Sequence, residues 1–230
     1  MNDIVYILKT NAPPNELRYS LRSVVKNFPY SRVWFYCGCP AGIEPDIFVA
    51  HDQIGDNKWE KVRSSLLKIM DNDDISEDFW LFNDDFFVMK PVTEQPPPYI
   101  CGSLMKRVTG IEANGGASGY SRQLFKANKQ LLKAGYDTLD YALHIPMLIN
   151  RKKAKEALEL FPDIPMFRSV YGNVAKIGGV VRKDVKVFTN DIFDEDSDYL
   201  STNERSFSEG KVGKYIRECF PQKCKYEQDY

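Results

Sequence analysis

The chain has 230 residues, 43% hydrophobic and 13% aromatic, enough to bury a sizeable core in one medium domain. Its formal net charge is −1, so the molecule as a whole exerts no pull toward nucleic acid or an anionic membrane surface. No apolar run reaches the length of a membrane span, and the N-terminus lacks the basic start and apolar stretch of a secretion signal, so the expected location is the cytoplasm.

Residues 4–8 (Ile-Val-Tyr-Ile-Leu) read as a first strand, and the Pro- and Asn-rich residues 11–15 as a loop. Residues 16–28 read as a helix, because Leu17, Leu21, Val24, Val25 and Phe28 recur at offsets of three and four. Arg18 and Arg22 lie beside that stripe. Residues 33–37 (Val-Trp-Phe-Tyr-Cys) form a second strand, and strand, helix, strand is the signature of a parallel sheet. A third short strand at 48–50 precedes His51 and Asp52. A second helix at 57–70 carries Trp59, Val62, Leu66, Leu67 and Met70 on one side. Residues 80–82 are the next strand.

Beyond Pro91 the pattern is mixed. Residues 95–98 (Gln-Pro-Pro-Pro) form a stiff linker, 114–119 a flexible Gly-rich loop without the lysine or spacing of a phosphate-binding loop, and 121–134 a helix. His144-Ile145-Pro146 breaks the chain before a helix at 151–161. A strand-like region at 180–187, an acidic stretch from Asp191 to Asp198 and a helix at 211–220 follow. Residues 1–92 thus read as one α/β half and 93–230 as a second, α-rich half. The basic run at Arg151, Lys152, Lys153 and Lys155 reads as a solvated helix face. The five cysteines show no metal-site spacing and read as reduced thiols.

The segment Phe79-Trp80-Leu81-Phe82-Asn83-Asp84-Asp85-Phe86-Phe87 breaks a folding rule: it sets carboxylates within an apolar run, where they need a metal, a cation or a set of donors. It also sits at a strand's carboxyl end, where open α/β sheets bind ligands. Extended geometry would put Asn83 and Asp85 on one face and Asp84 on the other. A strand-ending turn is the alternative, since Asn and Asp favour turns. One or two carboxylates plus phosphate oxygens are the usual holders of magnesium or manganese.

This segment resembles the metal-binding Asp-X-Asp variant of GT-A-type, nucleotide-sugar-dependent transferases, and in particular the FNDDxF element of Stealth-like sugar-phosphate transferases and related phage and bacterial glycosyltransferases. Asn15 to Ser23 is similar to the ELRYSLRS element of the same enzymes, and His144-Ile145-Pro146 is a third, weaker match. The resemblance implies a GT-A-like (Rossmann-like) α/β fold: a mixed, mostly parallel sheet flanked by helices, with a C-terminal α-rich portion. It implies metal-dependent transfer of a sugar from a nucleotide-diphosphate sugar, UDP-sugar foremost, to an acceptor hydroxyl on a glycan or modified DNA.

By position, the resemblance assigns Asp85 to a divalent Mn2+ or Mg2+ ion, with Asn83 in place of the motif's first Asp, and Arg18 and Arg22 to the pyrophosphate. It makes His144 a further metal ligand or a group near the reacting sugar. Asp140 is a candidate general base. Asp84, Asp52 and Lys58 are candidate donor-binding residues, Lys58 because a helix N-terminus favours anions. Three other readings stay open: sugar-phosphate transfer, a hydroxymethylated DNA base as acceptor, and a non-catalytic sugar-binding domain.

Overall fold

Tyr6, Phe35 and Phe82 are fully or almost fully buried in adjacent strands, as the middle of a sheet covered on both faces requires. The structure is a computed structural model that describes residues 1–10, 13–115, 119–188 and 192–228. In chain order its elements are β1 (Asp3–Leu8), α1 (Asn15–Asn27), β2 (Val33–Cys37), β3 (Ile47–Val49), α2 (Lys58–Met70), β4 (Asp78–Phe82), β5 (Phe86–Val88), β6 (Tyr99–Ile100) and α3 (Leu104–Ala113). There follow α4 (Gly119–Lys133), β7 (Met147–Asn150), α5 (Arg151–Leu160), α6 (Phe167–Val174), β8 (Val180–Val181), β9 (Lys186–Val187), β10 (Tyr199–Thr202), α7 (Glu204–Ser208) and α8 (Lys211–Cys219).

The main sheet has the order β3-β2-β1-β4-β7. The first four strands are parallel, and β7 is antiparallel to β4, with Phe79 opposite Ile149. The chain thus forms the expected mixed α/β architecture, a mostly parallel sheet flanked by helices with an α-rich C-terminal part. The halves divided at residue 92 share this sheet, because β7 completes it. A three-stranded sheet, β5-β10-β9, and a two-stranded one, β6-β8, complete the architecture among the described residues.

Alternation along the strands divides the core. Ile4, Tyr6 and Leu8 join Trp80, Phe82 and the α1 residues Leu17, Leu21 and Val24 on one face. Phe28 closes that layer, edge-on to Trp80 at 5.1 Å and to Phe82 at 5.3 Å. Val5, Phe79, Leu81 and Ile149 pack on the other face with Leu66 and Ile69 of α2, Ala154 and Ala157 of α5, and Val170 of α6. A satellite cluster joins Phe87, Val187 and Leu200 to Phe207, Val212 and Ile216 beneath α7 and α8.

The polar residues of α1 have a specific task. Ser20 Oγ donates to the Phe86 carbonyl at 2.6 Å, Ser23 Oγ accepts the Val88 N–H at 3.0 Å, and Asn27 Nδ2 donates to the Val88 carbonyl at 2.7 Å. β5 is therefore held by β10 on one side and by α1 side chains on the other. The ELRYSLRS helix and the NDD segment are coupled through β5.

Several expectations need correction. β4 ends at Phe82, and residues 83–85 form the turn into β5, so strand alternation does not apply to the triplet. α3, a helix not read from the sequence, follows the 95–98 linker; its N-cap Ser103 accepts the Lys106 N–H at 3.2 Å. The His144–Pro146 break leads into β7, not directly into a helix. Of the basic run on α5, Lys152, Lys153 and Lys155 are exposed as expected, whereas Arg151 is buried and pairs with Asp73 at 2.8 Å. The five cysteines, by contrast, are free thiols as expected. Residues 11 and 12 of the first loop, 116–118 of the Gly-rich loop and Asp191 lie outside the described residues.

Candidate functional site

β1 and β2 end side by side, and their backbones nearly touch beyond the sheet. A Cβ on Gly38 would lie 2.1 Å from the Lys9 carbonyl oxygen, so glycine alone fits there. β4 ends next to β1, and its turn projects Asn83, Asp84 and Asp85 beyond the same sheet edge. The result is a cleft of ≈ 710 Å³. Lys9 and Glu16 from the β1–α1 region, the triplet, Arg168 of α6, Lys186 of β9 and Thr202 of β10 all contribute to its wall, with Val62 and Leu66 of α2 as an apolar side. A site at the carboxyl end of parallel strands is where this class of sheet binds ligands.

Three carboxylates meet here. The Lys186 ammonium, only 10% exposed, donates to Asp85 Oδ2 and to the Thr202 carbonyl. Asp85 Oδ1 is buried and accepts no hydrogen bond. Burial raises the Asp84 pKa, and the neighbouring Asp85 charge adds to that. Glu16 accepts a hydrogen bond from the Thr202 hydroxyl at 2.6 Å. Its carboxyl is pushed up to about 7, first by burial and further by Asp85 and Asp84, with Thr202 and Lys186 acting in the opposite sense. Arg168 spans the base of the cleft, its guanidinium 5.2 Å from the Phe86 ring centre and Nη1 donating to the Leu143 and Ile145 carbonyls at 3.0 and 2.7 Å. Burial lowers it to about 10, while Asp85 and Asp184 favour its charged form.

The structure brings Asn83, Asp84 and Asp85 together on this one cleft, so Asp84 does not point elsewhere. It does not bring Arg18 or Arg22 into the cleft wall. Arg22 clasps Glu227 in a bidentate pair, Nε to Oε1 at 2.6 Å and Nη2 to Oε2 at 2.7 Å, and donates to the Phe220 and Pro221 carbonyls. Arg18 lies 3.6 Å from the same carboxylate. Both guanidinium groups thus anchor the C-terminal segment.

Asp140 is fully buried, paired with Arg107, and accepts the Ala142 N–H at 2.9 Å. A carboxylate so enclosed lacks access to an acceptor hydroxyl. His144 is held by Asp184, which takes its backbone N–H at 3.0 Å and its Nδ1 at 2.8 Å. Its ring stands edge-on to Phe86 at 6.4 Å, behind the triplet and not on the cleft wall. Asp52 is exposed between β3 and α2. The Lys58 ammonium lies 5.2 Å over the Trp59 ring, outside the cleft wall, and Asn57 caps α2 by accepting the Trp59 and Glu60 N–H groups. Lys9, Glu16, Arg168, Lys186 and Thr202 are among the cleft residues that sequence reading did not single out. Of these, only Glu16 carried a signal, as the first residue of the ELRYSLRS element.

Among the described residues, no group of three or more His, Cys, Asp or Glu side chains is placed to hold a metal ion. The cleft nonetheless fits a divalent cation of the kind that takes one or two carboxylates and completes its shell with phosphate oxygens and water. The unbonded, buried Oδ1 of Asp85 is the observation that supports the fit. No described helix is long and apolar enough to cross a membrane.

No protein-family model matches the chain, and no curated protein matches it. Two solved structures of LgtC are similar to it. A galactosyltransferase LgtC in complex with donor and acceptor sugar analogs is 14% identical with a TM-score of 0.46, over 82% of this chain and 76% of that one. An active-site mutant of LgtC is 15% identical with a TM-score of 0.44, over the same shares of the two chains.

Proposed function

We propose that this chain is a glycosyltransferase that moves a sugar from a nucleotide-diphosphate sugar, a UDP-sugar foremost, to a hydroxyl of a glycan acceptor. The observation that carries this reading is the unbonded Asp85 oxygen, buried at the mouth of a strand-end cleft that also holds three cationic side chains, Lys9, Arg168 and Lys186. A diphosphate needs such a mixture: positive charge for its own oxygens, and a carboxylate that would hold an accompanying divalent ion.

Asp85, with Asn83 and Asp84 beside it, would hold Mn2+ or Mg2+. A divalent ion bound there supplies charge neutralisation to the departing diphosphate. Lys186 and Lys9 supply further positive charge at the cleft wall, and Arg168 fixes the position of the Phe86 ring behind Asp85. Val62 and Leu66 offer an apolar wall for the nucleoside. Glu16 takes the place proposed for Asp140: it faces the cleft, and its pKa near neutrality suits accepting a proton.

The test is incubation with a panel of sugar nucleotides and Mn2+, followed by analysis of the nucleotide product. Free nucleoside diphosphate, lost in Asp85→Ala, is the expected result. Nucleoside monophosphate would mean that a sugar phosphate is transferred. No binding of any sugar nucleotide, with Asp85→Ala behaving as wild type, would overturn the reading.

A further inference from the structure

Lys186 is in an unusual position for a surface-strand lysine. Its ammonium has three donors. One goes to Asp85 Oδ2 and one to the Thr202 carbonyl, which leaves the third for the cleft that the side chain lines. Thr202 also binds Glu16 through its hydroxyl at 2.6 Å, so one residue at the end of β10 ties the lysine to a second carboxylate. Glu16, Asp84 and Asp85 share this single bonded ammonium, and Asp85 Oδ1 has no hydrogen-bond partner. Two things follow. Asp85 Oδ1 stays open to an added cation. Any cation that takes both oxygens of Asp85 must displace Lys186 from Oδ2.

A displaced ammonium on a four-carbon stem swings, but it is not carried away, because β9 is held in register against β10, with Lys186 opposite Ser201. A nearly buried ammonium without a counter-ion is costly, so it needs another anion within reach. The group that would enter this cleft with the cation is the diphosphate. From these contacts we infer that Lys186 couples cation binding to diphosphate binding: it neutralises Asp85 in the ligand-free protein and turns to the diphosphate when a divalent cation takes Asp85. This rests on the glycosyltransferase reading and deepens it. Lys186 becomes the positioning residue that disfavours the metal without the donor and favours the two together.

The experiment measures Mn2+ binding to the protein alone, by the electron-spin signal of free Mn2+, and pyrophosphate binding in the presence of Mn2+, by calorimetry. Wild type is compared with Lys186→Met and Lys186→Arg. Removing the ammonium should tighten Mn2+ binding roughly tenfold and weaken pyrophosphate binding by a similar factor, within the usual range for coupling between two sites. Lys186→Arg should keep the wild-type order of affinities. Opposite signs for the two ligands are the signature that a purely structural lysine would not give.

Should Lys186→Met fail to fold, wild type labelled with 15N at lysine Nζ serves instead. The Lys186 signal, assigned by its loss in Lys186→Arg, should shift on adding Mg2+ and shift again on adding pyrophosphate. A folded Lys186→Met with unchanged affinities, or a lysine signal unmoved by both ligands, overturns the inference alone. Wild type that binds neither Mn2+ nor pyrophosphate overturns the glycosyltransferase reading and this inference with it.

Discussion

Glu227 and Arg22, 205 residues apart in sequence, form a bidentate ion pair, with both carboxylate oxygens engaged at 2.6 and 2.7 Å. The Glu227 side chain is fully buried and that of Arg22 is 10% exposed. Removing one partner of such a pair strands the other charge. Glu227→Ala should therefore lower stability by about 3 kcal/mol in urea unfolding. Because neither arginine lines the cleft, transfer activity of the folded variant should stay near wild type.

The same pair gives a pH signature. Burial alone would raise the Glu227 carboxyl, but the Arg22 hydrogen bonds, the Cys224 N–H and the charges of both arginines outweigh burial and hold it below the usual range. A carboxyl with a depressed folded-state pKa contributes its full stability above its ordinary value of 4.5 and loses it as pH falls through the folded value. The stability gap between wild type and Glu227→Ala should close on acidification below that point. A gap independent of pH would show that the pair is not ionised.

How much of this was legible in sequence follows a physical line. The elements β1, α1, β2, α2 and β4 each carry their own period, so local pattern suffices to find them. β7 and β10 are four residues long and owe their extended form to partners, β4 for one and β5 and β9 for the other. The site divides the same way. The triplet announces itself by violating the apolar run around it. Lys186 lies in a strand-like region and Arg168 on a short helix, but both reach the cleft only through strand pairing and helix packing, which no local signal encodes. Arg18 and Arg22 were visible as cations next to an apolar stripe, but their partner lies at the far end of the chain, so the phosphate assignment had no local contradiction.

Asp184 holds His144 from two sides, at the backbone N–H and at Nδ1. Burial would raise the Asp184 carboxyl, but its bonds to His144 and that ring's charge outweigh it and lower it. Asp184→Asn keeps an acceptor for one contact and loses the carboxylate for the other. It should cost about 1–2 kcal/mol, and the difference from wild type should shrink as pH falls below the ordinary carboxylate value of 3.8, the Asp184 contribution being lost on protonation. Denaturant titration at two pH values measures both. Because the His144 ring packs edge-on to Phe86, next to Asp85, the folded variant should also lose transfer activity in the sugar-nucleotide assay beyond its stability loss.

Gly38→Ala tests the approach of β1 and β2. The added methyl would sit 2.1 Å from the Lys9 carbonyl oxygen and 3.2 Å from the Thr10 Cα, both backbone atoms that have no rotamer to escape into. The strands must part at the edge that forms the cleft, and Lys9 must move with them. A loss of about 1–3 kcal/mol is expected from overpacking, read as a lower Tm. Pyrophosphate binding should weaken in the folded variant as well. Unchanged stability would mean that the loop after β1 relaxes freely.

Glu16 carries the opposite pH dependence from Glu227. Its carboxyl is raised to about 7, chiefly by burial, from an ordinary value of 4.5. The folded protein therefore holds a proton that the unfolded chain releases earlier, and stability declines as pH rises between 4.5 and about 7, then levels. Glu16→Gln does not titrate and still accepts the Thr202 hydroxyl bond. It should gain on wild type through that window, so the Tm difference between variant and wild type should be more positive at about pH 8 than at about pH 5. The direction is set chiefly by the burial of Glu16, with the charges of Asp85 and Asp84 adding to it, since an exposed glutamate would give a flat difference. Adding a divalent cation should reduce the difference, because a cation that neutralises Asp85 removes the repulsion that this neighbour adds to the effect of burial. A difference that stays flat without the cation would show that Glu16 keeps an ordinary carboxylate pKa in the folded protein, and it would then be unsuited to the base role proposed for it.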